Sequence, residues 1–466
     1  MSPHTVVFFN THHRGHLAPT LSLAANFVRA GHKVVYFAPR SAHQLLASTG
    51  AELRCYKADE QWNMQQRAVD IVENKLQLPA DVALKEELLF VQVLPIAVDI
   101  LDFCINELKG LSANLVIYDA ACAWAKLAAS VLNIPAVSSC SSTLMGLEER
   151  KAVCGFIGER DDAKACLKWL VENHGLEYDP CDVYCNYDEY TIVWSLPELQ
   201  PHSKGFPFAH FFGASLDPTV SDADFPMHAL VNAKLTGKRI VYFSMGTVVG
   251  QEGWNVDIMP LFHDFLKHFA ENEKYFVVMS VGARKQVADV LSPLGGKTPS
   301  NFILAQSVPQ VLILQNADVF ITHGGNGFNE ALFCATPMMV IPIFGDQHMN
   351  AATVKRLKLG TTIDSPFAPA PAENLEYVTS QLIEQRLDEL CGDFAAIKAS
   401  IGEVQAKLLE KQKFLHQDAV AALIRYADGL KVSMESGVFA RSEEPRDIAL
   451  SGSGSFRFKK LQRRAQ

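Results

Sequence analysis

The chain is poor in cysteine, with ten in 466 residues, which excludes a disulfide scaffold. The close pair Cys181 and Cys185 has no second pair to complete a zinc site. The thiols therefore read as reduced and mostly buried, and no metal is expected. No uninterrupted apolar run reaches the roughly 18 residues that a membrane span needs. The best candidate, Leu88 to Ile105, is cut by Gln92, Pro95, Asp99 and Asp102. Val6 to Phe9 is too short for a secretory signal, and polar residues from Asn10 to His16 follow it. The expectation is a cytoplasmic protein without an integral membrane anchor. Positive charge is not in excess either. The net charge of −9 gives no basis for a nucleic-acid partner. No Gly-x-Gly-x-x-Gly follows the first apolar run, so the dinucleotide fingerprint of a nicotinamide dehydrogenase is missing.

What is present is ordinary globular composition, 48% hydrophobic and 20% charged, on a chain long enough for two large domains or three smaller ones. Thr5 to Phe9 reads as a buried strand, and Asn10 to His16 as a polar loop. Leu17, Leu21, Ala24 and Val28 then recur at helical spacing, with Pro19 tolerable in a first turn and Gly31 placed to end the helix. Val34 to Ala38 is the next strand, completing a βαβ unit. The grammar recurs at Leu115–Tyr118, Ile134–Val137, Arg239–Phe243, Tyr275–Met279, Phe302–Leu304, Val319–Thr322 and Met338–Ile341, mostly with helical patterns between. Alternation of this kind argues for an α/β fold with open parallel sheets. The strands fall into two sets. The expected organisation is a domain over 1–212, a Pro- and Asp-containing linker over 213–237, a second domain over 238–430, and a flexible tail over 431–466. That tail ends in a basic cluster (Arg457, Lys459, Lys460, Arg463, Arg464), read as solvated.

Ligands of open α/β sheets bind beyond the carboxyl ends of the strands. The polar residues there are His16 and its neighbours His12 and His13, then Asp119, Ser244 to Thr247, His323 to Glu330, and Asp346–Gln347. In the stretch from Thr322 to Leu332 a strand ends, Gly324, Gly325 and Gly327 allow close backbone approach, and a helix begins. Such a turn suits a phosphate. His323 can donate to a phosphate oxygen, and Glu330 can accept from ribose hydroxyls. The carboxylate and amide of Asp346–Gln347 suit the vicinal hydroxyls of a sugar.

Four segments together resemble a known family: Gly15-His16-Leu17-Ala18-Pro19; Phe243-Ser244-Met245-Gly246-Thr247; Val308-Pro309-Gln310 with Leu312; and His323 through Gly345-Asp346-Gln347-His348-Met349-Asn350. The family is the inverting, UDP-sugar-dependent glycosyltransferases of GT-B architecture, with two facing Rossmann-like doubly wound domains and an interdomain cleft. The resemblance implies a catalytic base at His16, oriented by Asp119. It implies a donor site in which His323, helped by Ser244, Thr247, Gly325, Asn326 and Gly327, meets the diphosphate. Glu330 would hold the ribose, Asp346 and Gln347 the sugar, and Gln310 would lie near the uracil. The implied reaction moves a hexose, glucose by default, from a UDP-sugar co-substrate to a hydroxyl of a small, fairly apolar acceptor, without metal or cofactor. A non-catalytic nucleotide-sugar-binding protein and a UDP-sugar epimerase are the alternatives on the same fold. Two features depart from the family pattern. Ser307 stands where many relatives carry a Trp that stacks on uracil, and the turn from His323 to Glu330 is one residue shorter than usual.

Overall fold

Val6 to Phe9, Val34 to Phe37 and Leu115 to Tyr118 are apolar at every position, and each is buried along its whole length. That pattern belongs to strands covered on both faces, as in a parallel sheet flanked by helices. The computed structural model describes residues 2–11, 14–56, 89–144, 146, 155, 158–178, 190–206, 208–214, 225–246, 257–282, 286–343, 346–364, 375 and 377–435. His12, His13, Thr247, the Cys181/Cys185 pair and the basic tail lie outside them.

The first sheet holds β1 (Thr5–Phe9), β2 (Lys33–Phe37), β3 (Glu52–Arg54), β4 (Leu115–Asp119), β5 (Ala136–Cys140), β6 (Thr191–Val193) and β7 (Ala209–Phe211). Their order is β3-β2-β1-β4-β5-β6-β7, and every pairing is parallel. The second sheet holds β8 (Arg239–Ser244), β9 (Tyr275–Ser280), β10 (Phe302–Ala305), β11 (Val319–Thr322), β12 (Met338–Val340) and β13 (Gly360–Thr362). Its order is β10-β9-β8-β11-β12-β13, again all parallel. Both are doubly wound Rossmann-like sheets. In each, the strand order reverses once, between β1 and β4 in the first and between β8 and β11 in the second. Those reversals open the crevices in which such folds bind ligands.

The helices that matter for the sites are α1 (Arg14–Arg29), α2 (Ala123–Leu132), α3 (Gln310–Leu314), α4 (Gly327–Phe333), α5 (Asp346–Leu357), α6 (Phe394–Gln417) and α7 (Ala419–Glu435). The expected stop of α1 is present. Gly31 takes φ +83°, and His32 N–H bonds back to the Phe27 carbonyl.

The chain divides into two compact units whose limits differ from the expected domains. One contains residues 1–194, 202–215 and 413–466, the other 195–201 and 216–412. The last helix is therefore not part of the second domain, as the 238–430 boundary had it. Leu415, Ala419, Leu423, Ile424 and Ala427 are buried with Leu17, Leu21, Leu23 and Phe27 of α1, so their apolar area is removed from water in the first unit. The expected linker over 213–237 is also not a plain connector. It contains the helix Met227–Leu235, which buries Leu230 and Ala233. The segment 195–201 already belongs to the second unit, where Glu198 accepts from Lys407 Nζ (2.6 Å) and its carbonyl accepts from Arg356 (2.6 Å).

Candidate active site

The first constellation stands at the reversal between β1 and β4. Asp119 is the last residue of β4, and its side chain is completely buried. His16 lies in the first turn of α1, just beyond β1, with 27% of its side chain exposed. Its Nδ1 is 3.0 and 2.9 Å from the two oxygens of Asp119. An ionised carboxylate only accepts, so Nδ1 carries the proton and Nε2 carries the basic lone pair. Asp119 Oδ1 also accepts from Ala121 N–H at 2.9 Å, a second hold on the carboxylate. Asp119 does not cap the following helix, because α2 begins only after Cys122. The neighbouring Cys122 thiol is pushed up well above its ordinary value by burial and by the Asp119 charge, so it stays neutral.

The second constellation stands at the reversal between β8 and β11. Ser244 ends β8, and its hydroxyl accepts from Gly246 N–H at 3.3 Å, shaping the turn after the strand. Gly246 has φ +76°, and a Cβ there would lie 2.4 Å from His323 Cε1. A Cβ on Gly325 would lie 2.5 Å from His323 Nε2. The ring of His323 is thus packed against two backbones that only glycine permits. Its Nδ1 is shielded from solvent and has no hydrogen-bond partner among the described residues. Burial lowers its pKa to about 4, so the ring is neutral at pH 7. Gly324 takes φ +85°, and its carbonyl accepts from the buried Asn350 Nδ2 at 2.8 Å.

Gln310 opens α3, and Glu330 lies within α4; the two are hydrogen bonded, Gln310 Nε2 donating to Glu330 Oε2. Tyr242 on β8 donates to Gln310 Oε1 at 2.8 Å, so the amide orientation is dictated by both neighbours. Gly327 is explained by packing, since a Cβ there would press on the Phe320 ring at 3.1 Å. Asn326 is exposed before α4, and its side chain makes no capping bond. Asp346 begins α5. Gln347 is buried, and its Oε1 accepts from Ile343 N–H at 2.8 Å, closing the loop after β12. The Gln347 carbonyl is 3.5 Å from where a Gly324 Cβ would sit, so the start of α5 adjoins the glycine turn. Among the described residues no group of three or more His, Cys, Asp or Glu could hold a metal ion, and no helix is long and apolar enough to cross a membrane.

Residues 270–386 match the family described as UDP-glucoronosyl and UDP-glucosyl transferase. The chain is 28% identical over 397 residues to an uncharacterized UDP-glucosyltransferase, YdhE, of Bacillus subtilis, covering 83% of this chain and 90% of the relative. Among solved structures, the glycotransferase of kitacinnamycin superposes with a TM-score of 0.69 at 22% identity, covering 93% of this chain and all of that one. The glycosyltransferase VinC in complex with DTDP superposes with a TM-score of 0.64 at 19% identity, covering 91% and 99%. The chain is a glycosyltransferase with the GT-B fold, similar over residues 270–386 to the UDP-glucoronosyl and UDP-glucosyl transferases.

Four residues of this glycosyltransferase escaped the sequence reading. Asn350 lies within the motif, and its part is the bond to the Gly324 carbonyl, which joins positions 26 residues apart. Thr322 Oγ1 accepts from Gly324 N–H at 3.2 Å. Tyr242 and Asn10 sit inside or at the end of apolar strands, where a polar atom leaves no periodic signal. Thr247 lies outside the described residues.

Proposed function

We propose that the enzyme moves a hexose, with glucose the leading choice, from a UDP-sugar to a hydroxyl of a small, fairly apolar acceptor, inverting the anomeric configuration. The observation that carries this reading is the His16–Asp119 pair at the reversal between β1 and β4. His16 Nε2 takes the acceptor proton as the oxygen attacks the anomeric carbon. The bond from that carbon to the β-phosphate oxygen breaks, and its electron pair leaves with UDP. Asp119 holds the imidazole in the required tautomer and stabilises the imidazolium, as the third member of a triad does. General base catalysis of this kind contributes roughly 10²–10⁴-fold.

The second unit takes the donor in this reading. Charge grows on the diphosphate as the bond breaks. The glycine turn at Gly324–Gly327 offers backbone N–H groups, and His323 offers a neutral N–H donor. Such preorganised donors replace a metal in this proposal. Glu330 receives the ribose hydroxyls, with Gln310 beside it towards the uracil. Asp346 and the start of α5 receive the sugar. The UDP-glucosyl wording of the matched family and of YdhE supports uridine and glucose, while the DTDP complex of VinC supports the same diphosphate chemistry on another base.

The test is a panel of UDP-, dTDP- and GDP-sugars read by thermal shift, because a ligand that binds only the folded state raises the melting temperature. UDP-glucose should give the largest shift, and UDP release should then depend on an added hydroxylated acceptor. Donor binding without release would mark a non-catalytic binding protein. Sugar interconversion without an acceptor would mark an epimerase.

A further inference from the structure

Every polar atom of Asn10 is engaged, and one of its bonds reaches the turn that carries His16. Asn10 follows β1 directly, is buried, and continues the ladder by donating its N–H to the Phe37 carbonyl at 3.0 Å. Its own carbonyl accepts from Tyr56 OH at 2.9 Å. Its Oδ1 accepts from Thr11 N–H at 2.8 Å, which settles which end of the amide is oxygen. Nδ2 then donates twice, to the His16 carbonyl at 3.1 Å and to Tyr36 OH at 3.0 Å. The proton order beyond it follows. Thr20 gives its only hydroxyl proton to the Leu17 carbonyl at 2.8 Å, so the 2.6 Å contact between Tyr36 OH and Thr20 Oγ1 has Tyr36 as donor. The donor chain runs in one direction, from Asn10 to Tyr36 to Thr20 to Leu17, with a branch to His16. Burial raises the Tyr36 pKa, which keeps that phenol a donor.

We propose that Asn10 is a positioning residue for the base, fixing the first turn of α1 so that the His16 ring meets Asp119 and its Nε2 meets the acceptor proton. The proposal rests on the reading of His16 as the base. Pro19 has no N–H to bond the carbonyl of Gly15, so this part of α1 lacks one helical hydrogen bond. Asn10 ties both the strand and the buried Tyr36 to it. A serine at position 10 can hold Thr11 but cannot also reach both the His16 carbonyl and Tyr36. An alanine holds neither.

Turnover, donor KM, UDP affinity by calorimetry and melting temperature are measured for wild type, Asn10→Ala, Asn10→Ser, Tyr36→Phe and His16→Ala. A misplacement on the ångström scale costs about 10- to 100-fold in rate, so Asn10→Ala should lose that much in kcat with donor KM and UDP affinity within about twofold. Asn10→Ser and Tyr36→Phe, which keep part of the network, should fall between it and wild type. A purely structural role would lower the melting temperature without that split between kcat and KM. If Asn10→Ala fails to fold, Asn10→Ser carries the same comparison. Wild-type kcat in a folded Asn10 variant, with His16→Ala inactive, overturns the positioning role alone. An active His16→Ala overturns the assignment of the base beneath it.

Discussion

At position 119 the carboxylate is wholly buried, while the imidazole it binds is partly open to solvent. That asymmetry suits a base whose orientation is set from inside the protein. Asparagine at 119 would keep an oxygen for Ala121 N–H but turn an amide donor toward the ring, forcing the opposite tautomer. Asp119→Asn should therefore lower kcat by roughly 10²–10⁴-fold, measured by UDP release, with the melting temperature little changed. His323 makes a different prediction, on stability. Its folded pKa of about 4 lies below the ordinary 6.5, so the unfolded chain binds the proton first on acidification. Stability then rises with pH between these values, and the wild type should lose about 1–3 kcal/mol between pH 6.5 and pH 4 that a His323→Gln variant keeps. Urea unfolding of both proteins at several pH values checks this. Parallel pH curves would show that the ring is not shielded.

The elements carry the site because Asp119, Ser244 and His323 lie where strands stop. Nine apolar runs were legible because buried parallel strands have no polar face, and β1 and β11 have the bounds their patterns predict. The three-residue strands β3, β6, β7 and β13 were not legible. β13 is the plainest case. Gly360 weakens its strand pattern, yet a Cβ there would lie 1.9 Å from the Met338 carbonyl oxygen, so close pairing with β12 demands glycine. In the site, the Gly-rich turn and the polar residues at the strand ends were legible from type and position, and the pairing of His16 with Asp119 came from the family resemblance. The contacts of Asn350, Tyr242 and Asn10 were not, since each joins residues far apart in the chain. Asn350→Ala tests the element that joins α5 to the glycine turn. It leaves the Gly324 carbonyl without its side-chain partner, and should cost about 1–3 kcal/mol in stability and weaken UDP binding. Unchanged UDP affinity by calorimetry would separate α5 from the donor site.

On the scale of the whole chain, the sheets repeat one design, and each places its polar residues at its own strand-order reversal. The chain returns from the second unit to the first at Lys413, a step that composition did not reveal, because α7 looks like any amphipathic helix. Leu423 is fully buried among first-unit residues. Leu423→Ala should cost about 2–5 kcal/mol, read as a lower first transition in calorimetry, while stabilisation by UDP persists. Loss of that stabilisation would instead place α7 in support of the donor site. In the proposed reaction His16 removes a proton during sugar transfer while the second unit binds the diphosphate. Its most direct test is acceptor-dependent UDP release by His16→Ala, with UDP affinity measured on the same preparation. Turnover should fall by about 10³-fold or more with affinity unchanged, and turnover near that of the wild type would contradict the account.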